Sequence, residues 1–247
     1  MKFYSTISKR SDSDRIALLL PGYTGGSGAF SSILPLLDCD VLSITYPGHG
    51  EYYRHFEEVG AFDWEQSVID AVDKASERYS DVLLIGYSMG GALTLLHGKD
   101  YPKLLLAPAI IPKDCIMEDD ENRKPISLDS VNPRLKAMCD DEDLDVICWF
   151  LDKDRHRSQE ELNDIERKAN GISDKTFSHT YAFIGEKDPV IPYEKSGKWL
   201  NEHGIEVKRF PESTHAILYD PHYNEVVEEI RKVILKDERL KAFTKLR

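Results

Sequence analysis

The chain has 247 residues, 41% of them apolar, and a net charge of −12. That length supports one large domain, or a domain with a modest insertion. The charge argues against nucleic acid or an anionic membrane surface as partner, because phosphates would be repelled. No apolar run approaches the roughly 18 residues of a membrane span.

Residues 15–20, Arg-Ile-Ala-Leu-Leu-Leu, are an apolar run stopped by Pro21-Gly22 and predict a buried strand. A glycine-rich loop and a short helix around Phe30 to Leu37 follow. The next strand spans Asp40 to Tyr46 and is closed by Pro47-Gly48-His49-Gly50. Trp64, Val68, Ile69, Val72 and Ala75 recur at helical spacing and predict an amphipathic helix over 64–79. Residues 81–86 are another continuous apolar strand, and Ala92 to Leu96 begins a helix that Gly98 can stop. Strands apolar on both faces, alternating with helices, mean an α/β domain with a mostly parallel sheet between helix layers.

The alternation breaks between Pro112 and Ile172. Residues 113–172 hold 17 acidic against 10 basic side chains, more than half of the net charge. Leu144, Ile147, Cys148 and Leu151 fall at helical spacing, so this stretch reads as a helical insertion lying on the parent domain. A disordered acidic linker is the alternative, although Trp149 and Phe150 call for burial. The core is then 1–112 with 173–247. In its second part, strands at 180–184 and 206–210 alternate with helices at 192–201 and 225–235. The tail from Lys236 carries Leu240, Phe243 and Leu246 three residues apart, which fits either a terminal helix or a homodimer contact.

Cys39, Cys115, Cys139 and Cys148 are scattered, with no C-x-x-C and no histidine at metal-ligand spacing. They read as free thiols of a cytoplasmic protein. Met1 to Arg10 lack the apolar core of a secretory signal.

The chemistry centres on Gly86-Tyr87-Ser88-Met89-Gly90-Gly91. A lone G-x-S-x-G is weak evidence, but here it follows an apolar strand and opens a helix, as a nucleophile elbow requires. A phosphate-binding glycine loop is disfavoured, since the spacing is not G-x-G-x-x-G and no P-loop lysine is present. A serine nucleophile needs a base, and the base needs an orienting carboxylate. Asp188 lies just past the strand at 180–184, with Glu186 as its rival. Of the eight histidines, His203 reads as a helix end and His222 as a helix start, and His49 sits in a structural loop near the pocket. His215 lies directly after a strand and before the last helix, where a base must be. Oxyanion donors are expected from the backbone N–H groups of Met89 and Tyr23.

In these motifs the chain resembles a small bacterial α/β-hydrolase of the carboxylesterase and monoacylglycerol-lipase branch. The matching pieces are Leu-Leu-Leu-Pro-Gly-Tyr-Thr-Gly, Tyr-Pro-Gly-His-Gly, Gly-Tyr-Ser-Met-Gly-Gly, Gly-Glu-Lys-Asp-Pro-Val-Ile-Pro and Ser-Thr-His-Ala, in the family's order. The resemblance implies Ser88 as nucleophile, His215 as base and Asp188 as orienter. It also implies a cap inserted after the family's sixth strand and a small-molecule ester as substrate. The sequence begins close to its first central strand, so the family's leading antiparallel strands are expected to be shortened here, and serine, histidine and aspartate between them call for no metal or organic cofactor. An insertion of about 60 residues suits short or medium acyl chains. The family's usual His-Gly before the oxyanion loop is replaced by Pro21-Gly22. Competing readings are a thioesterase and a carbon–carbon hydrolase or lyase. The lyase group that shares Gly-Tyr-Ser-Met-Gly-Gly usually continues with Arg, where this chain has Ala92. A non-catalytic binding module would have lost a member of the Ser-His-Asp set, and none is missing.

Overall fold

The computed structural model describes residues 6–8, 13–49, 58–112, 157–173 and 175–245. Trp149, Phe150, Leu246 and three of the four cysteines lie outside the described residues, as does the rest of 113–156. Among these residues seven strands form one sheet: β1 (Thr6–Ser8), β2 (Arg15–Leu20), β3 (Asp40–Ser43), β4 (Asp81–Tyr87), β5 (Lys103–Leu106), β6 (Thr180–Gly185) and β7 (Glu206–Phe210). Their order is β1-β3-β2-β4-β5-β6-β7. β1 runs antiparallel to β3 and every other pairing is parallel. Among the described residues one three-residue strand precedes the parallel set, and the span from 113 follows the fifth described strand.

Among the described residues the helices are α1 (Ala61–Arg78), α2 (Met89–His97), α3 (Arg157–Asn170), α4 (Tyr193–Glu202), α5 (Tyr223–Lys236) and the short α6 (Glu238–Lys241). None of the helices among the described residues is long and apolar enough to cross a membrane. Period-two alternation in the strands divides the core. Ile16, Leu18 and Leu20 of β2 face one layer with Trp64, Val68 and Val72 of α1, while Ala17 and Leu19 face the other with Ile230 and Val233 of α5. Each such large side chain contributes about 1.5–3 kcal/mol through burial.

Three elements differ from their sequence pattern. The helix expected near Phe30 to Leu37 is two short 3-10 turns, Ser27–Phe30 and Leu34–Leu36. Pro35 lacks the N–H that a continuous α-helix would need there. β3 stops at Ser43 because Tyr46 leaves the ladder and sends its hydroxyl to the Pro21 carbonyl. β5 gave no sequence signal of its own. It is four residues long and begins with Lys103, a buried amine that donates to the carbonyls of Lys99 and Tyr101 at 2.8 and 2.6 Å.

Helix α3 falls inside the stretch read as an insertion, yet Leu162, Ile165 and Ala169 bury in the same cluster as α1 and α2. Its Glu161 carboxylate accepts the Ala61 N–H at 2.9 Å and so caps α1. At the other end of the chain, Leu240 and Phe243 are fully buried against the opposite face of the sheet.

Candidate active site

Ser88 sits between the end of β4 and the start of α2 with φ 53° and ψ −118°. A left-handed φ strains a non-glycine residue, and such strain persists only where the surroundings enforce it. Here the enforcement is visible. The Ser88 N–H donates to Leu106 at 2.9 Å, and its carbonyl accepts from Gly91 and Ala109 at 2.9 and 3.0 Å. Glycine is required around it for close packing: a Cβ on Gly90 would lie 1.9 Å from the Leu20 carbonyl oxygen. The Ser88 hydroxyl makes no helix-capping bond. It meets His215 Nε2 at 3.1 Å instead.

His215 Nδ1 lies 2.7 Å from Asp188 Oδ2. The other carboxylate oxygen, Oδ1, accepts the N–H groups of Val190 and Ile191 at 2.7 and 2.8 Å. Asp188, not Glu186, thus meets the histidine, and its side chain is 3% exposed. The two residues converge because β6 and β7 are neighbours whose pairing continues past their ends. Glu186 N–H donates to Phe210, and Lys187 N–H donates to Ser213, both at 3.0 Å. Gly185 lets the chains approach, since a Cβ there would lie 2.4 Å from the Ser213 carbonyl oxygen. Asp220 braces the histidine loop by accepting from the N–H groups of Thr214 and His222, each at 2.8 Å.

Sequence reasoning missed the role of Tyr87. Its hydroxyl donates to the His215 carbonyl at 2.7 Å, and the two rings lie 5.5 Å apart. Burial, helped by the Tyr219 hydroxyl at 3.1 Å, pushes the Tyr87 phenol far up and keeps it a donor. Its place inside the G-x-S-x-G motif was the available signal.

Met89 opens α2, so its N–H has no partner within the helix. Across from it runs the loop after β2, where Gly22 packs so closely that a Cβ would lie 3.1 Å from Ser88 Cβ. Tyr23 follows Gly22 in that loop. Its hydroxyl is 2.7 Å from the Ser158 hydroxyl of α3. The three other histidines weighed from the sequence lie elsewhere. His203 is the C-cap of α4 and stacks on Trp199 at 3.8 Å, and His222 precedes α5. His49 is buried beneath the Tyr23 loop.

The model of the Alpha/beta hydrolase family matches residues 17–229. A thermostable monoacylglycerol lipase from Bacillus sp. strain H-257 is 24% identical over 183 residues, covering 71% of each chain. A carboxylesterase from Bacillus subtilis strain 168 is 22% identical over 232 residues, covering 90% of this chain and 93% of the other. Among solved structures, Est1E from Butyrivibrio proteoclasticus with bound ferulic acid superposes with a TM-score of 0.65. It is 19% identical and covers 95% of this chain and 94% of its own.

Proposed function

The chain belongs to the alpha/beta hydrolase family, and from that premise we propose that it is a serine hydrolase that cleaves carboxylic esters of short to medium acyl chains. The observation that carries this reading is the continuous hydrogen-bond chain from Ser88 Oγ through His215 to Asp188 at the carboxyl edge of the sheet. The esterase and lipase names of the relatives support ester hydrolysis as the reaction class.

In this mechanism Ser88 Oγ attacks the acyl carbon while its proton passes to His215 Nε2. The carbonyl electron pair moves onto oxygen, and the oxyanion is held by the N–H groups of Met89 and Tyr23 beside the positive end of α2. Collapse expels the alcohol, which takes the proton from His215 and leaves an acyl-enzyme. A water then gives a proton to the same nitrogen and attacks the acyl carbon; the bond to Ser88 Oγ breaks, His215 returns the proton to that oxygen, and the acid is released. Asp188 orients the imidazole and balances its transient charge. No metal or organic cofactor has a step to perform.

In this reading the insertion at 113–172 supplies the cover of the acyl pocket, and its described part, helix α3, packs with α1 and α2. Replacing Trp149 and Phe150 by alanine should flatten the chain-length profile, as each buried methylene contributes about 0.8 kcal/mol to selectivity. The reading is tested with a fluorophosphonate probe, followed by a series of p-nitrophenyl esters and matched acyl thioesters. Labelling that disappears in Ser88→Ala, with turnover fastest on esters, is the expected result. A folded protein that neither labels nor turns over any of them overturns the reading, and faster thioester turnover transfers it to the thioesterase class.

A further inference from the structure

Three of the six residues from Pro21 to Gly26 are glycine, so this loop has little intrinsic stiffness. Pro21 itself offers neither an N–H nor a polar side chain with which to hold it. A donor of an oxyanion hole must nevertheless be held, because its effect depends on being aimed before charge develops.

The structure ties three successive peptide planes of the loop. The Tyr46 hydroxyl donates to the Pro21 carbonyl at 3.1 Å. The Gly22 carbonyl accepts the Gly25 N–H at 2.9 Å. The Thr24 N–H donates to His49 Nε2 at 3.2 Å. In a trans peptide the N–H points opposite to its carbonyl. Fixing the Gly22 carbonyl therefore sets the direction of the Tyr23 N–H, and the two outer bonds hold the planes on either side.

Both outer partners come from one turn, residues 46–49, closed by the His49 N–H on the Tyr46 carbonyl at 3.0 Å. That turn is anchored in the core. The indole N–H of Trp64, a fully buried residue, donates to the Pro47 carbonyl at 3.2 Å. The His49 ring lies edge-on to Tyr46 and Trp64, with centroids 5.1 and 5.8 Å away. Because Nε2 accepts from Thr24, it carries no proton. The proton is on Nδ1, which faces the Pro47 carbonyl at 3.3 Å. Burial lowers the pKa of the ring to about 4 and keeps this arrangement neutral.

We propose that Tyr46 and His49 are positioning residues for turnover, a clamp that grips the loop on both sides of Tyr23 and holds its N–H in place for the oxyanion. This rests on the reading of Tyr23 and Met89 as oxyanion donors.

The test compares His49→Phe, His49→Gln and Tyr46→Phe on p-nitrophenyl butyrate, with active sites counted by end-point fluorophosphonate labelling. His49→Phe should lower kcat per labelled site about 10- to 100-fold with little change in KM. A trifluoromethyl ketone, which forms a tetrahedral adduct on serine, should lose affinity in step with kcat/KM. His49→Gln should recover most of the loss, since its amide oxygen can accept from Thr24. Tyr46→Phe removes one oxygen and should lower kcat by a smaller factor. A purely structural role would lower the melting temperature and the number of labelled sites, while kcat per site and ketone affinity stayed at wild-type values. That result overturns the clamp. If His49→Phe does not fold, Tyr46→Phe decides. Turnover retained in Ser88→Ala would instead sink the functional reading itself, whereas an inactive Ser88→Ala with unaffected clamp variants sinks the clamp alone.

Discussion

Two histidine–aspartate pairs lie at opposite ends of strand β6. At its carboxyl end, His215 meets Asp188 at 2.7 Å, and at its amino end His179 meets Asp237 at 2.9 Å. The pairs look alike in isolation but differ in what surrounds them. Asp188 is braced by two backbone N–H groups, and the second nitrogen of His215 faces a serine hydroxyl. Asp237 is occupied as the N-cap of α6 and also accepts from the Tyr181 hydroxyl, while the His179 side chain is 40% exposed. A histidine–carboxylate pair becomes a candidate for catalysis through its position on the sheet. At the carboxyl edge of a parallel sheet, strand ends, loops and a helix N-terminus converge on one point. At the amino edge the same pair staples a helix to a strand.

The comparison breaks most sharply at Ser88. Ser88→Ala is expected to lower kcat on esters by about 10⁴- to 10⁶-fold with thermal unfolding nearly unchanged. A purified, folded variant that retained a tenth of the activity would contradict the assignment. Asp188→Asn should cost about 10⁴-fold in kcat by presenting the wrong hydrogen-bond partner to His215. Glu186→Gln should be mild, and a reversal of these two results would make Glu186 the orienter.

The third test uses pH. Burial lowers the His49 pKa from 6.5 to about 4. Between those values the unfolded chain binds a proton that the folded chain excludes, so stability falls as pH drops through that window. Below about pH 4 both states are protonated and this contribution is lost. It amounts to about 3 kcal/mol. Urea denaturation of wild type and His49→Gln between pH 7 and 4 measures it, because the glutamine variant lacks the proton.

Tyr87→Phe sharpens the account of the carboxyl edge, since it deletes the bond to the His215 backbone and leaves the ring contact. A fall in kcat of about tenfold is expected from the loosened histidine. Unchanged kinetics would mean that Asp188 and the loop bonds hold His215 by themselves. The smallest effect belongs to the other pair. Asp237→Ala should leave kcat untouched and lower stability by about 1 kcal/mol through the lost cap of α6, a difference read by urea titration.

Much of this molecule is written in local pattern. The runs at 15–20 and 81–86 announce buried strands because both faces are covered by helices, and G-x-S-x-G between a strand and a helix announces the turn at Ser88. Asp188 and His215 were legible because each follows a strand. Which of Asp188 and Glu186 lies against His215 was decided by the tertiary structure, where Asp188 Oδ2 meets the ring and the N–H groups of Val190 and Ile191 hold its other oxygen. Other features had no local signature. β5 is four residues long and becomes a strand by pairing between β4 and β6. Helix α3 joins the core because Leu162 and Ile165 find α1 and α2, contacts that no window around 157–170 contains. The bonds from Tyr87 to His215 and from His49 to Thr24 join residues 128 and 25 positions apart. Periodicity and turn chemistry report what a residue does to its neighbours in the chain. Which distant backbone group a buried hydroxyl or imidazole satisfies is decided when the sheet and its helices close around it.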